Sequence, residues 1–181
     1  MNPNRMDHMI EPVVNKRVAI IGAGLIGCSW AALFVKYGWY VTIWDQNPYV
    51  YDSISNKVTR ALTDLADLHH PKPETGSFTL CDDLTAAILD VDYVQENVSE
   101  NLNAKHALFA ELDKRVAPTV PIASSTTAYT WSDLFSGCLH KDRFIIAHPF
   151  NPPHLIPLVE LSGYHEPVLT QATAIYEGME R

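Results

Sequence analysis

The residues best equipped for chemistry lie late in the chain, in His148-Pro149-Phe150-Asn151-Pro152-Pro153 and Leu158-Val159-Glu160-Leu161. His148 closes the apolar run Phe144–Ala147 and opens a proline-stiffened loop. Imidazole titrates near neutral pH, so a histidine there is placed to act as a general base. A histidine that only hydrogen-bonds within its loop would look the same in sequence. Glu160 interrupts an apolar run, and a carboxylate in that setting must be paired or face water. A chain that doubles back would bring Glu160 to His148, where it can orient the ring and stabilise an imidazolium. Spacing alone leaves that pairing open. Ser124-Ser125-Thr126-Thr127 follows another apolar run, and its hydroxyls can hold a substrate oxygen or simply close a turn. Glu100 and Lys105 read as solvated charges around the start of a helix, with Glu100 the nearer to its N-terminus. His69-His70 lies in a breaker-rich loop with no further ligand at metal-site spacing, so no metal is expected.

The element that must position these groups is Arg17 to Asp45, RVAIIGAGLIGCSWAALFVKYGWYVTIWD. Gly22, Gly24 and Gly27 form G-x-G-x-x-G directly after the apolar run Val18–Ile21. The first glycine makes the tight turn, the second lets a pyrophosphate approach the backbone, and the third lets the helix pack closely on the sheet. A helix from about Leu25 to Tyr37 then aims its first N–H groups, those around Leu25 and Ile26, at the phosphates. The strand Tyr40–Trp44 ends in Asp45, whose carboxylate would accept from ribose hydroxyls and repel a 2′-phosphate. The spacing therefore predicts a site for NAD rather than NADP. Val18 to Val35 is also eighteen residues without a charge, long enough to suggest a membrane span. The three glycines, flanking Arg17 and Lys36, and the strand and acid that follow favour the nucleotide site.

Elsewhere the pattern alternates: a helix from Pro48 to Leu68, a strand Phe78–Cys81, a helix Asp82–Leu89 and a strand Asp92–Gln95. An amphipathic helix Asn101–Val116 follows, then a strand Pro121–Ser124 and a helical turn Thr130–Phe135. The strands Phe144–Ala147 and Ile156–Leu161 and a helix from Pro167 complete the pattern. It predicts an α/β, doubly wound Rossmann fold with a mostly parallel sheet over residues 17–181, after an N-terminal arm at 1–16. The net charge of −8 argues against nucleic acid and anionic membranes as partners. Three widely spaced cysteines fit free thiols in a reducing, cytoplasmic setting, and residues 1–16 lack the apolar stretch of a secretory signal. Trp30 and Trp44 are expected to flank the cofactor.

Taken together, GAGLIGCSWAALF, VQENVSENLNAKHALFAELD, ASSTTAY and RFIIAHPFNPPHLIPLVEL resemble the 3-hydroxyacyl-CoA dehydrogenase superfamily, nearest to its lambda-crystallin, or L-gulonate 3-dehydrogenase, branch. The resemblance implies His148 as catalytic base and Glu160 as its partner. It implies Thr127 in place of a serine that touches substrate and nicotinamide, and Asn151 as a substrate-side asparagine. Asp45 and Gln46 fall at the adenosine-ribose contacts, and Asn97, Glu100 and Lys105 near the nicotinamide. The implied reaction is NAD-dependent oxidation of a 3-hydroxy acid to the 3-keto acid. Ala61–Pro71 has no lysine or arginine, unlike the lysine-rich hairpin of acyl-CoA enzymes, so a small free acid such as L-gulonate is favoured over a 3-hydroxyacyl-CoA. The family also adds a C-terminal helical domain of roughly a hundred residues that makes a homodimer. That domain is absent from this sequence, so a fragment, or a non-catalytic, crystallin-like NAD-binding protein, is the alternative.

Overall fold

The computed structural model describes residues 16–68 and 76–181. The first fifteen residues, assigned to the arm, and the His69-His70 loop lie outside the described residues.

Strand β1 (Arg17–Ile21) forms from an unbroken aliphatic run whose members from Val18 onward are fully buried. A strand covered on both faces takes apolar residues at every position. Val18 and Ile20 point into one core cluster and Ala19 and Ile21 into the other, as the two-residue period of a strand requires. The first layer holds α1 (Leu25–Lys36), α2 (Tyr51–Leu68) and α6 (Glu166–Gly178). The second holds α4 (Leu102–Arg115) and the short α5 (Trp131–Leu134), with α3 (Leu84–Ala87) at its margin. The other strands are β2 (Tyr40–Trp44), β3 (Ser77–Leu80), β4 (Tyr93–Glu96), β5 (Ile122–Ser124), β6 (Phe144–Pro149) and β7 (Val159–Ser162). They join β1 in one sheet of order β3-β2-β1-β4-β5-β6-β7, parallel throughout except for β7, which runs antiparallel to β6. The uncharged run Val18–Val35 is thus divided between β1 and α1, and among the described residues no helix is long and apolar enough to cross a membrane.

Three elements differ from the sequence expectation. The last strand begins at Val159, not Ile156, and leaves Ile156 and Leu158 exposed; Pro152, Pro153 and Pro157 have no N–H to give a ladder, so pairing starts only beyond them. The helix expected over Asp82–Leu89 shrinks to Leu84–Ala87, capped by the Asp83 carboxylate and ended before Asp90, which has φ 52°. The third is α4, whose inward stripe is Lys105, Phe109, Leu112 and Asp113, while Ala107 is exposed. Helical period selects those positions, and the two charges tolerate burial because each meets an opposite charge. Lys105 Nζ lies 2.7 Å from Glu96 Oε1, and Arg143 Nη2 lies 2.9 Å from Asp113 Oδ1.

Candidate active site

Chain order reverses between β1 and β4, and the crevice beyond the carboxyl ends of the strands opens at that point. Gly22 turns the chain out of β1 at φ 92°, in the left-handed region that favours glycine, and a Cβ there would lie 2.7 Å from the Asn97 backbone. A Cβ on Gly27 would lie 1.9 Å from the Gly22 carbonyl oxygen, so only glycine lets α1 sit this close to the turn. Gly24 is different: a Cβ there would meet no protein atom within 4 Å. It occupies the N-cap of α1 without a capping side chain, and no acid stands in the first turn. The N–H groups of that turn, around Leu25 and Ile26, are left to an anion from outside, which is the fit a dinucleotide pyrophosphate demands. Asp45 ends β2 with Oδ2 accepting from Ala23 N–H at 2.7 Å and Oδ1 from Asn47 N–H at 2.8 Å. Each carboxylate oxygen keeps a lone pair for a sugar hydroxyl, and exposed Gln46 stands next to it.

Below the opening the polar groups are mutually satisfied. Ser125 Oγ receives the Trp30 indole at 3.1 Å and the Gln95 amide at 3.0 Å, and donates to Asn97 Oδ1 at 2.8 Å. The Asn97 amide in turn donates to Gln95 O at 2.9 Å. Asn97 is therefore engaged under the glycine turn, and Trp30 lies beneath the site rather than beside it. Glu96 is fully buried, accepting from Lys105, from Val98 N–H and from the Ser124 hydroxyl. Burial pushes its carboxyl up from the ordinary value, opposed by the Lys105 ammonium and these hydrogen bonds. Lys105 is 1% exposed and also donates to Val98 O. It is not the solvated charge the helix pattern suggested; it is held inside by Glu96. Glu100 is exposed, accepting from Thr126 Oγ1 at 2.8 Å and lying 3.4 Å from Thr127 N. It therefore holds the hydroxyl loop while the Thr127 side chain faces solvent.

His148 and Glu160 are cross-strand partners in the antiparallel β6–β7 pair. His148 Nδ1 lies 2.9 Å from Glu160 Oε2, with side-chain exposures of 29% and 63%. A carboxylate only accepts, so Nδ1 carries the hydrogen, and in the neutral imidazole Nε2 is the nitrogen that keeps a lone pair. The Phe150 ring stacks on the imidazole at 5.7 Å. Thr127 and His148 thus stand at the carboxyl ends of neighbouring strands β5 and β6, across from the glycine turn. Asn151 is exposed and faces a separate cavity bounded by Leu25 of α1 and Ala61 of α2.

Sequence reading gave no individual role to five contributors: Glu96, Ser125, His154, Lys57 and Arg60. Glu96 and the hub Ser125 are visible only through their partners. His154 is 8% exposed, with Nδ1 2.6 Å from Ser29 Oγ and Nε2 3.4 Å from Asp64 Oδ2. It staples the loop after His148 to α1 and α2; the signal available was a histidine in the same proline-rich loop. Lys57 and Arg60 line the cavity beside Asn151, in the helical turn that leads directly into the cation-free Ala61–Pro71 stretch.

The family described as "3-hydroxyacyl-CoA dehydrogenase, NAD binding domain" matches residues 17–180. The chain belongs to that family. It comprises the NAD-binding domain, and NAD is the cofactor this fold holds. An L-carnitine dehydrogenase of Streptomyces coelicolor is 40% identical over 156 residues, covering 86% of this chain and 49% of its own length. A lambda-crystallin homolog of Bos taurus is 36% identical over 170 residues, covering 91% and 53%. The chain spans between 30% and 53% of the length of such curated relatives. Among solved structures, a 5-formyl-3-hydroxy-2-methylpyridine 4-carboxylic acid 5-dehydrogenase superposes with TM-score 0.84 at 25% identity, over 91% of this chain and 55% of that one. The 3-hydroxybutyryl-CoA dehydrogenase of Escherichia coli gives 0.82 at 22% identity, over 92% and 37%, a likeness of fold.

Proposed function

We propose that the chain is the cofactor half of an NAD-dependent dehydrogenase that oxidises the 3-hydroxyl of a small, free hydroxy acid. The observation that carries this reading is the His148–Glu160 pair, a solvent-accessible imidazole with its Nδ1 anchored and its Nε2 lone pair free, at the strand ends that face the glycine turn. NAD⁺, when bound, supplies the acceptor for the hydride released from the carbinol carbon. His148 Nε2 takes the hydroxyl proton, and Glu160 stabilises the imidazolium that results. Thr127 and Asn151 orient substrate oxygens, and Glu100 holds the loop that presents Thr127. Asp45 and Gln46 bind the adenosine ribose, while the backbone of Gly24, Leu25 and Ile26 binds the pyrophosphate. Asn97, Glu96 and Lys105 keep the nicotinamide side of the crevice in shape from beneath. Support for a free acid comes from the relatives named L-carnitine dehydrogenase, since carnitine is itself a small 3-hydroxy acid; L-gulonate, a sugar acid with the same carboxylate and hydroxyl, is a candidate of that class.

The test is NADH formation from 3-hydroxy acids by protein carrying this domain. His148→Asn should lower turnover by about 10²- to 10⁴-fold, the usual worth of a general base, with NADH affinity kept within a few-fold. Unchanged turnover would remove His148 from the reaction. Tight NADH binding by the unsubstituted protein with no turnover on any hydroxy acid would replace the enzyme reading by a non-catalytic, crystallin-like one.

A further inference from the structure

Beside the nucleotide crevice, on the α1–α2 face, lies a cavity of about 240 Å³. Its walls are Leu25, Cys28 and Ala61, its rim is Asn151, and Lys57 and Arg60 project from successive turns of α2. Among the described residues neither cation takes part in a hydrogen bond or ion pair. The one carboxylate lining the cavity, Asp64, is turned to His154 Nε2 at 3.4 Å. The Cys28 thiol, pushed up to about 11 by burial, stays protonated and adds no charge. In a chain whose formal net charge is −8, two uncompensated cations over an apolar floor form a local site for an anion.

We infer that Lys57 and Arg60 form the carboxylate subsite of the hydroxy-acid substrate. The inference rests on the reading above, because the link is Asn151: it follows His148 by three residues, in the loop that leaves β6, and borders this cavity. An acid whose 3-hydroxyl is at His148 has one charge to place, and the cavity that Asn151 borders offers an amide from the loop and two cations from α2 to receive it. The size agrees. Pockets for drug-sized ligands run to roughly 300–1,000 Å³, so this one suits a few-carbon acid. Arg60 presents a planar fork and Lys57 a point charge, a pair that distinguishes a carboxylate from a neutral amide of the same shape. The staple of His154 on Ser29 Oγ holds the Asn151 side of the cavity against α1.

The experiment titrates the wild-type chain and the double variant Lys57→Gln/Arg60→Gln, in the presence of NAD⁺, with 3-hydroxybutyrate, with 3-hydroxybutyramide and with coenzyme A. Nuclear magnetic resonance reads binding, and thermal melts report the fold of the variant. The acid should bind at least about tenfold more tightly than the amide, as charge-assisted hydrogen bonds imply, and the variant should bring it down to the level of the amide. Equal affinity for acid and amide, or discrimination that survives in the variant, overturns the subsite. Coenzyme A binding that the variant loses while acid binding persists overturns the carboxylate assignment in favour of a phosphate. A parallel NADH titration of the wild-type chain separates the failures: NADH bound without acid discrimination fails the subsite alone, whereas no NADH binding fails the functional reading and the subsite with it.

Discussion

The glycine turn and the His148–Glu160 hairpin stand at the same edge of one sheet, but they are built from different materials. The turn is backbone held by backbone: Gly22 against Asn97, Gly27 against the Gly22 carbonyl, with Ser125, Asn97 and Gln95 saturating one another below. The hairpin is a pair of side chains on the last two strands, open to water and surrounded by exposed Phe150, Leu155, Ile156 and Leu158. Close packing makes the first region intolerant of an added atom at Gly22 and Gly27. The second region is energetically loose, so changes there alter chemistry with little effect on stability. Binding geometry is thus laid into the core, and proton transfer is carried on an edge where the imidazole can exchange with solvent.

That contrast can be broken at several points, beginning with the largest effect. Far from both regions, Asp113 is buried against Arg143 and also accepts from Leu139 N–H at 2.6 Å. Asp113→Ala should cost about 3–5 kcal/mol in a denaturant melt, because it strands a buried guanidinium. Burial raises the Asp113 carboxyl, but hydrogen bonds from Arg143, Leu139 and His140 outweigh it and hold it below the ordinary value. A carboxylate with a lowered folded pKa contributes stability above its unfolded value of about 3.9. This contribution is therefore intact at neutral pH and lost as pH falls through the lower folded value; a melt that shows no such acid loss would contradict the ion pair.

Next comes Gly27→Ala, whose Cβ would lie 1.9 Å from a carbonyl oxygen that cannot move alone. We expect a cost of about 1–3 kcal/mol from overpacking, together with loss of NADH binding. Gly24→Ala, with no protein atom within 4 Å of the new Cβ, should leave stability nearly unchanged and weaken NADH alone. Equal stability losses at the two glycines would erase the distinction between packing and ligand approach. Asp45→Ser should relax discrimination against NADPH by about tenfold, or 1.4 kcal/mol, measured as the ratio of the two dissociation constants. The smallest effect is at the hairpin: Glu160→Gln breaks an exposed pair and should change stability by less than about 1 kcal/mol. A large loss there would mean that the hairpin is part of the core.

The same contrast explains what could be read in the sequence. Gly22, Gly24, Gly27, Asp45 and the aliphatic β1 act through local geometry, so their spacing exposes them. The alternation of strands and helices was legible for the same reason. The start of β7 was not, because it depends on how far three prolines delay pairing. The pairing of Glu96 with Lys105 escaped because a buried ion pair joins a strand end to a helix face, and helical period cannot tell an inward lysine from an outward one. Lys57 and Arg60 are ordinary surface residues until α2 is laid beside α1 and the loop of Asn151 closes the cavity.

The most direct test of the account is a fluorescence titration of the chain with NADH and, separately, NADPH. Trp30 donates to the hub Ser125, and Trp44 precedes Asp45 and accepts from Gly22 N–H through its carbonyl at 2.8 Å. Filling the crevice should therefore quench tryptophan emission. Saturable quenching by NADH, with NADPH bound at least about tenfold more weakly, is the predicted result. Equal response to both, or to neither, would contradict the claim that the glycine turn and Asp45 form a finished site for NAD.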